Sequence, residues 1–297
     1  MTSAEIDAFW RSHARFLQCT LTTETPHPKT ANLSSLAQHD LAQALSVLKS
    51  LDLAVLKTLQ THLGTVDSLS DAIKHTHNQN GRVYILGCGA SGRMAVCLEN
   101  AWQQQYQNQH IIGIIASGDF ALVRSIEQFE DRPELGIKQL LQQGFTEHDL
   151  LIATTASGES PFVLAATDYA AQHCHQQPWL IYCNPDQQLT TRNSSHIIKS
   201  PRIHSWCLDV GPMALTGSTR MQATTAMQLA LGLALLSQSP AQDLSAFATA
   251  FDMLDIGNLA SFIDYESSHF QHQPPSKPFI YQCDSSTALT VMTDLTE

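Results

Sequence analysis

The residues best suited to chemistry here are small and hydroxylated, and they gather in three short runs. The first is Gly87-Cys88-Gly89-Ala90-Ser91-Gly92-Arg93, set between an apolar run and a helical one. Gly87 and Gly89 permit positive φ and close backbone approach. Ser91 and Gly92 open the following helix, so their N–H groups and the serine hydroxyl can face an anion. The spacing lacks the third glycine of a dinucleotide loop and the Gly-Lys-Ser/Thr of a Walker loop. The second run, Thr155-Ala156-Ser157-Gly158-Glu159-Ser160-Pro161, repeats the theme. Its Pro161 falls in a first helical turn, where the missing N–H costs nothing. The third, Leu215-Thr216-Gly217-Ser218-Thr219-Arg220-Met221, opens a long apolar helix. One such run is an ordinary helix cap. Three in one chain point to a shared anionic ligand.

The elements around these runs read as α/β. Arg82–Leu86 is a short apolar strand ending on a glycine, and similar runs recur at Ile111–Ala116, Leu150–Thr154, Trp179–Cys183 and Ile197–Lys199. Helical stretches at 91–107, 119–143 and 160–174 separate most of them. Fully apolar strands alternating with helices predict a parallel sheet covered on both faces. Right-handed crossovers gather the loops that follow the strands at one sheet edge, where ligands of such sheets bind.

Ahead of the sheet, residues 4–18 read as an amphipathic helix carrying Ile6, Phe9, Trp10 and Phe16. The proline-bearing stretch Thr22–Pro28 reads as an ordered arm. Residues 34–77 hold two or three leucine-rich helices. Behind the sheet come a long apolar helix over 219–237 and two more over 241–255 and 257–270. Lys277–Ser286 reads either as a strand opening a second α/β unit or as a single added edge strand. The expected organisation is a helical extension with an arm over 1–78, the α/β domain over 79–240, C-terminal helices over 241–276, and the opening of a second unit over 277–297.

Composition excludes several classes. The chain has 297 residues, 43% hydrophobic and 14% charged, with a formal net charge of −11. A nucleic-acid surface needs clustered positive charge, so nucleic acid is not an expected partner. The negative balance does not oppose an anionic ligand, because helix N-termini bind phosphate without lysine. Seven cysteines, an odd number with no Cys-x-x-Cys pair, fit a reducing cytoplasm. The N-terminus reads as no signal peptide, and the longest apolar run, Leu229–Leu236, is too short for a membrane span. His173-Cys174-His175 lacks the ligand spacing of a closed metal site, so no metal is expected. Cys88 sits near a helix N-terminus, which lowers a thiol pKa, but reads better as a small buried loop residue. Fourteen histidines include no triad-like context, and His27 in the arm is the weak exception.

Gly-Cys-Gly-Ala-Ser-Gly-Arg, Ala-Ser-Gly-Glu-Ser-Pro, Cys183-Asn184-Pro185 and Leu-Thr-Gly-Ser-Thr-Arg-Met occur here in that order. Together they resemble the sugar isomerase (SIS) domain family, and within it the N-acetylmuramic acid 6-phosphate etherases and the related glucokinase regulatory proteins. The resemblance runs from about residue 22 to 237 and includes Thr23-Glu24 and the run Ile126–Asp131. It implies a doubly wound, five-stranded parallel sheet flanked by helices, acting as a homodimer or a tandem pair of SIS units, with no cofactor. It implies a phosphorylated sugar or amino sugar as ligand. Gly89, Ala90, Ser91 and Gly92, with Ser157, Gly158 and Ser160, would hold the phosphate, and Ser218 would lie near the sugar. Glu130 matches the family's second active-site glutamate. The etherases carry another glutamate ten residues after the loop serine, where this chain has Ala101, with Glu99 two residues earlier. Gln222 and Gln228 stand where the family pattern has lysine. Breaking an ether by elimination needs a base and an acid, so Ala101 favours a non-catalytic, regulatory-type binder. The alternative is an etherase, a lyase releasing D-lactate.

Overall fold

Leu150–Thr154 and Val83–Gly87 have no polar face, so each must be covered on both sides. The computed structural model describes residues 21–124, 126, 128–189, 194–270 and 281–283. The helix expected over 4–18 and the second unit expected over 277–297 lie outside these residues, apart from Tyr281–Cys283, which carry no regular structure.

Three helices, α1 (Leu33–His39), α2 (Leu41–Thr61) and α3 (Leu63–Asn78), precede the sheet. The chain then runs β1 (Val83–Gly87), α4 (Gly89–Tyr106), β2 (Ile111–Ile115), α5 (Pro133–Gln142), β3 (Leu150–Thr154), α6 (Pro161–His173), β4 (Trp179–Tyr182) and β5 (His204–Cys207). It continues through α7 (Gln222–Leu236), α8 (Pro240–Met253) and α9 (Ala260–Phe270). All sheet pairings are parallel, in the order β2-β1-β3-β4-β5, with Gly87 beside both Ile115 and Thr154. The chain steps from β1 outward to β2, then returns to the other side of β1 at β3. That reversal opens a crevice beyond the carboxyl ends of β1 and β3, where ligands of doubly wound sheets sit.

Each face of the sheet has its own core. On one, Val83, Ile85, Ile111, Leu150, Ile152 and Ile181 pack with α7 and with Leu56, Leu59, Leu69 and Ile73 of α2 and α3. On the other, Tyr84, Leu86, Ile114, Leu151, Ala153 and Leu180 pack with Leu140, Phe162, Val163 and Leu21. The leucine-rich N-terminal helices are therefore continuous with the core. Lys49 of α2 donates to the backbone oxygens of Asp252 and Leu254, 2.7 Å each, tying α8 onto it. Among the described residues no single helix is long and apolar enough to cross a membrane.

Two expectations need correcting. Ile197–Lys199 is not a strand: Ser195–Ile198 forms one helical turn that buries Ile197, and the fifth strand is His204–Cys207. Two adjacent isoleucines bury equally well in a turn laid over the sheet, whereas Trp179↔His204 to Tyr182↔Cys207 supplies the full ladder. The helix expected over 119–143 is broken, with a short 3₁₀ turn at Gly118–Leu122 and a new start at Pro133. A residue before proline avoids the α region, and Arg132 is accordingly extended, φ −107°, ψ 98°. The break matters, because Glu130 lies in it.

Candidate functional site

The crevice at the reversal point is a cavity of about 400 Å³. The loop after β1 supplies Gly89, Ala90 and Ser91, the loop after β3 supplies Thr155 and Ser157, and the run before α7 supplies Ser218, Thr219 and Arg220. Helix α4 begins at Gly89, at φ +49°; the amides at a helix start have no acceptor within the helix, and Gly89, Ala90 and Ser91 line the cavity. Ser157 is braced by a 3.3 Å contact to the Thr155 hydroxyl and accepts from the Glu159 N–H at 3.1 Å. Gly217 takes φ +74° and lines the cavity beside Ser218.

Glu130 forms part of the wall. Its backbone oxygen accepts from the Phe162 N–H at 3.0 Å, and neighbouring Phe129 meets the Phe162 ring at 6.0 Å, so the start of α6 holds it in place. The carboxylate faces the open cavity, yet the surrounding walls strip away much of its water. That desolvation raises its pKa above the ordinary value; Asp131 adds to the shift and a hydrogen bond with Ser160 opposes it. Cys88 is no activated thiol: burial drives its pKa up, and its sulfur lies 3.3 Å from the Ser160 hydroxyl.

Of the residues singled out from sequence, Gly89, Ala90, Ser91, Ser157, Ser218 and Glu130 meet at this cavity. Gly92, Gly158 and Ser160 stand behind it. Gly92 packs against Gly87 and Ile115, Gly158 turns the chain at φ +79° over Leu189, and Ser160 is buried between Cys88 and Glu130. Sequence reading gave no role to Thr155, Thr219 or Arg220, or to Glu24 on the arm, all of which also line it. Their presence in the quoted motifs was the available signal.

Asn184 joins the arm to the second loop. It is fully buried; its Oδ1 accepts from the Thr23 N–H at 3.1 Å. Its Nδ2 donates to Thr23 Oγ1, Ala156 O and Ser157 O at 3.1–3.2 Å. Removing one partner of buried hydrogen bonds leaves the others unsatisfied, at about 1–3 kcal/mol. Asn184→Ala is expected to lose about that much stability in urea unfolding and to speed amide exchange at residues 21–25.

Ala101 sits elsewhere. Ten residues after Ser91 is about 2.8 helical turns along α4, and Ala101 lines a separate groove with Cys97, Leu98, Leu229 and Leu233. None of the described residues lines both spaces. Glu99 is no stand-in: its Oε2 accepts from the Gly113 N–H and its Oε1 from Gln103, 2.9 Å each. Gln222 is buried and bridges the Ala214 N–H to Asp52, at 2.7 and 3.0 Å. Gln228 lines the same groove as Ala101. Among the described residues no group of three His, Cys, Asp or Glu side chains converges as a metal site.

A doubly wound sheet with three hydroxyl-bearing helix starts around one crevice is the architecture of a SIS-type domain. The glucokinase regulatory protein N-terminal SIS domain matches residues 65–171. The N-acetylmuramic acid 6-phosphate etherase of Enterobacter sp. (strain 638) is 34% identical over 217 residues, covering 72% of this chain and 68% of that protein. The same-named protein of Pasteurella multocida (strain Pm70) is 32% identical over 215 residues, covering 72% and 67%. A solved structure from Clostridium novyi NT, assigned as a tagatose-6-phosphate ketose/aldose isomerase, shares the fold at TM-score 0.57 and 12% identity. That likeness covers 84% of this chain, which spans 57% of the solved one. The chain belongs to the SIS-domain family of the N-acetylmuramic acid 6-phosphate etherases.

Proposed function

We propose that the cavity binds a phosphorylated amino sugar and that the chain is an etherase acting on N-acetylmuramic acid 6-phosphate. The observation that carries this is the convergence of Ser91, Ser157 and Ser218 with the carboxylate of Glu130 around one space of about 400 Å³. That volume falls in the range of about 300–1,000 Å³ typical of small-molecule sites. Amides at the start of α4, the serine hydroxyls and Arg220 suit a phosphate dianion. Glu130, with its raised pKa, suits proton transfer on the sugar held beside it. Supporting the etherase over the regulatory reading are the names of the curated relatives. A second SIS unit, from another copy or in tandem, belongs to the same proposal.

Binding without turnover is the second reading, and Ala101 is what favours it. Incubation with N-acetylmuramic acid 6-phosphate separates them. The expected result is D-lactate release at a rate proportional to enzyme. Calorimetric binding of the same compound with no lactate released would leave the non-catalytic reading standing.

A further inference from the structure

We infer that Glu24 is the second carboxylate acting on the bound sugar, carried into the cavity by the N-terminal arm. This rests on the etherase reading, which needs two proton-transfer groups where Glu130 alone supplies one.

Glu24 lines the same cavity as Glu130, from a different part of the chain. The arm that brings it is firmly held. Leu21 is fully buried in the sheet core. The Thr22 N–H donates to Gln188 Oε1 at 2.9 Å, and Gln188 Nε2 donates to Thr22 Oγ1 at 2.7 Å. Thr23 is clamped by Asn184, and the Glu24 N–H closes a tight turn onto Leu21 O at 3.0 Å. Three successive residues are thus fixed before the carboxylate begins. Such anchoring fixes the backbone from which the Glu24 side chain reaches the cavity.

The third loop makes room for it. A Cβ on residue 217 would stand 2.8 Å from Glu24 Oε2, so the bare Cα of Gly217 is what admits the carboxylate beside Ser218. Among the described residues, the charged groups lining the cavity are Glu24, Glu130 and Arg220. Burial raises the pKa of both glutamates, with Thr23 opposing the shift at Glu24 and Asp131 adding to it at Glu130. With one of these carboxyls protonated and the other ionised, the cavity holds a proton donor and a proton acceptor on separate elements. That is the pair an elimination uses. The ionised carboxylate takes the proton from the carbon next to the ether carbon. The released electron pair forms the C=C bond as the C–O bond breaks. The protonated carboxyl gives its proton to the departing lactate oxygen, so the charge on the pair is conserved.

The test is Glu24→Gln in the full chain, followed by calorimetry with N-acetylmuramic acid 6-phosphate and by D-lactate release across pH. The expected result is a Kd within about threefold of the parent, a kcat lower by about 10²-fold or more, and loss of one limb of the bell-shaped pH profile. Glu24→Asp, one methylene shorter, is expected to recover part of the rate. A urea-unfolding midpoint of Glu24→Gln close to the parent's, measured alongside, guards against misfolding as the cause of the lost rate. A parent enzyme that releases lactate beside a Glu24→Gln variant of unchanged kcat and pH profile overturns the role of Glu24 alone. A parent that binds the sugar and releases no lactate overturns the etherase reading and this inference with it.

Discussion

Glu130→Gln is expected to lower D-lactate release by about 10²–10⁴-fold, the usual contribution of a positioned proton-transfer group. Gln keeps the shape and can still bond Ser160, so the sugar phosphate binds with little change and the loss falls in kcat. The same substitution carries a stability signature with a definite sign. Burial raises the folded-state pKa of Glu130 above its ordinary value of 4.5. The folded form therefore holds the proton more tightly than the unfolded chain. The associated stability is fully present below the unfolded pKa and is lost as pH rises through the folded value. At pH 7 the ionised Glu130 works against folding, so Glu130→Gln is expected to raise the Tm there. The difference shrinks as the pH falls through the raised folded value and is gone below the ordinary value of 4.5. A variant inactive and destabilised at neutral pH would mark Glu130 as a structural group instead.

Gly92→Ala is expected to damage both fold and binding through a single methyl group. A Cβ at residue 92 would lie 2.7 Å from Gly87 O, 2.7 Å from Ile115 Cγ1 and 2.9 Å from Ile115 Cα. Two of these are backbone atoms of β1 and β2 and cannot swing away. Over-packing of this kind costs about 1–3 kcal/mol. Relief comes by lifting the start of α4 off the sheet, which carries the Ala90 and Ser91 amides out of the cavity. Denaturant unfolding reads the first effect, and calorimetry with N-acetylmuramic acid 6-phosphate reads the second as at least tenfold weaker binding. Full affinity alongside lost stability would show that the loop geometry does not depend on this contact.

The two predictions differ in how much of their basis could be read beforehand. The turn at Gly87–Arg93 was legible because its glycines and serine stand between a run that must be a strand and one that must be a helix. Strands β1 to β4 were legible for the same reason, since only a two-sided sheet buries them. The fifth strand was not. His204-Ser205-Trp206-Cys207 is a polar-looking run whose strand character comes from pairing with β4, not from its own pattern. The break before Pro133 could have been read from the proline, but the apolar periodicity on either side hid it.

Residue types and their spacing were enough to settle the class of fold and the three helix-opening loops, because each depends on interactions within a few residues of chain; Glu130 became a candidate only through the resemblance to the SIS family. Tertiary structure alone decided which of these share a space. It carried Glu24 across to the cavity through Asn184 and Gln188, each more than 160 positions along the chain. It also put Ala101 in a different groove from Ser91, although both lie on one helix. Spacing along a sequence reports neighbours on one element. The meeting of an arm, a strand loop and a helix start depends on how the whole core packs, and no local pattern encodes that distance.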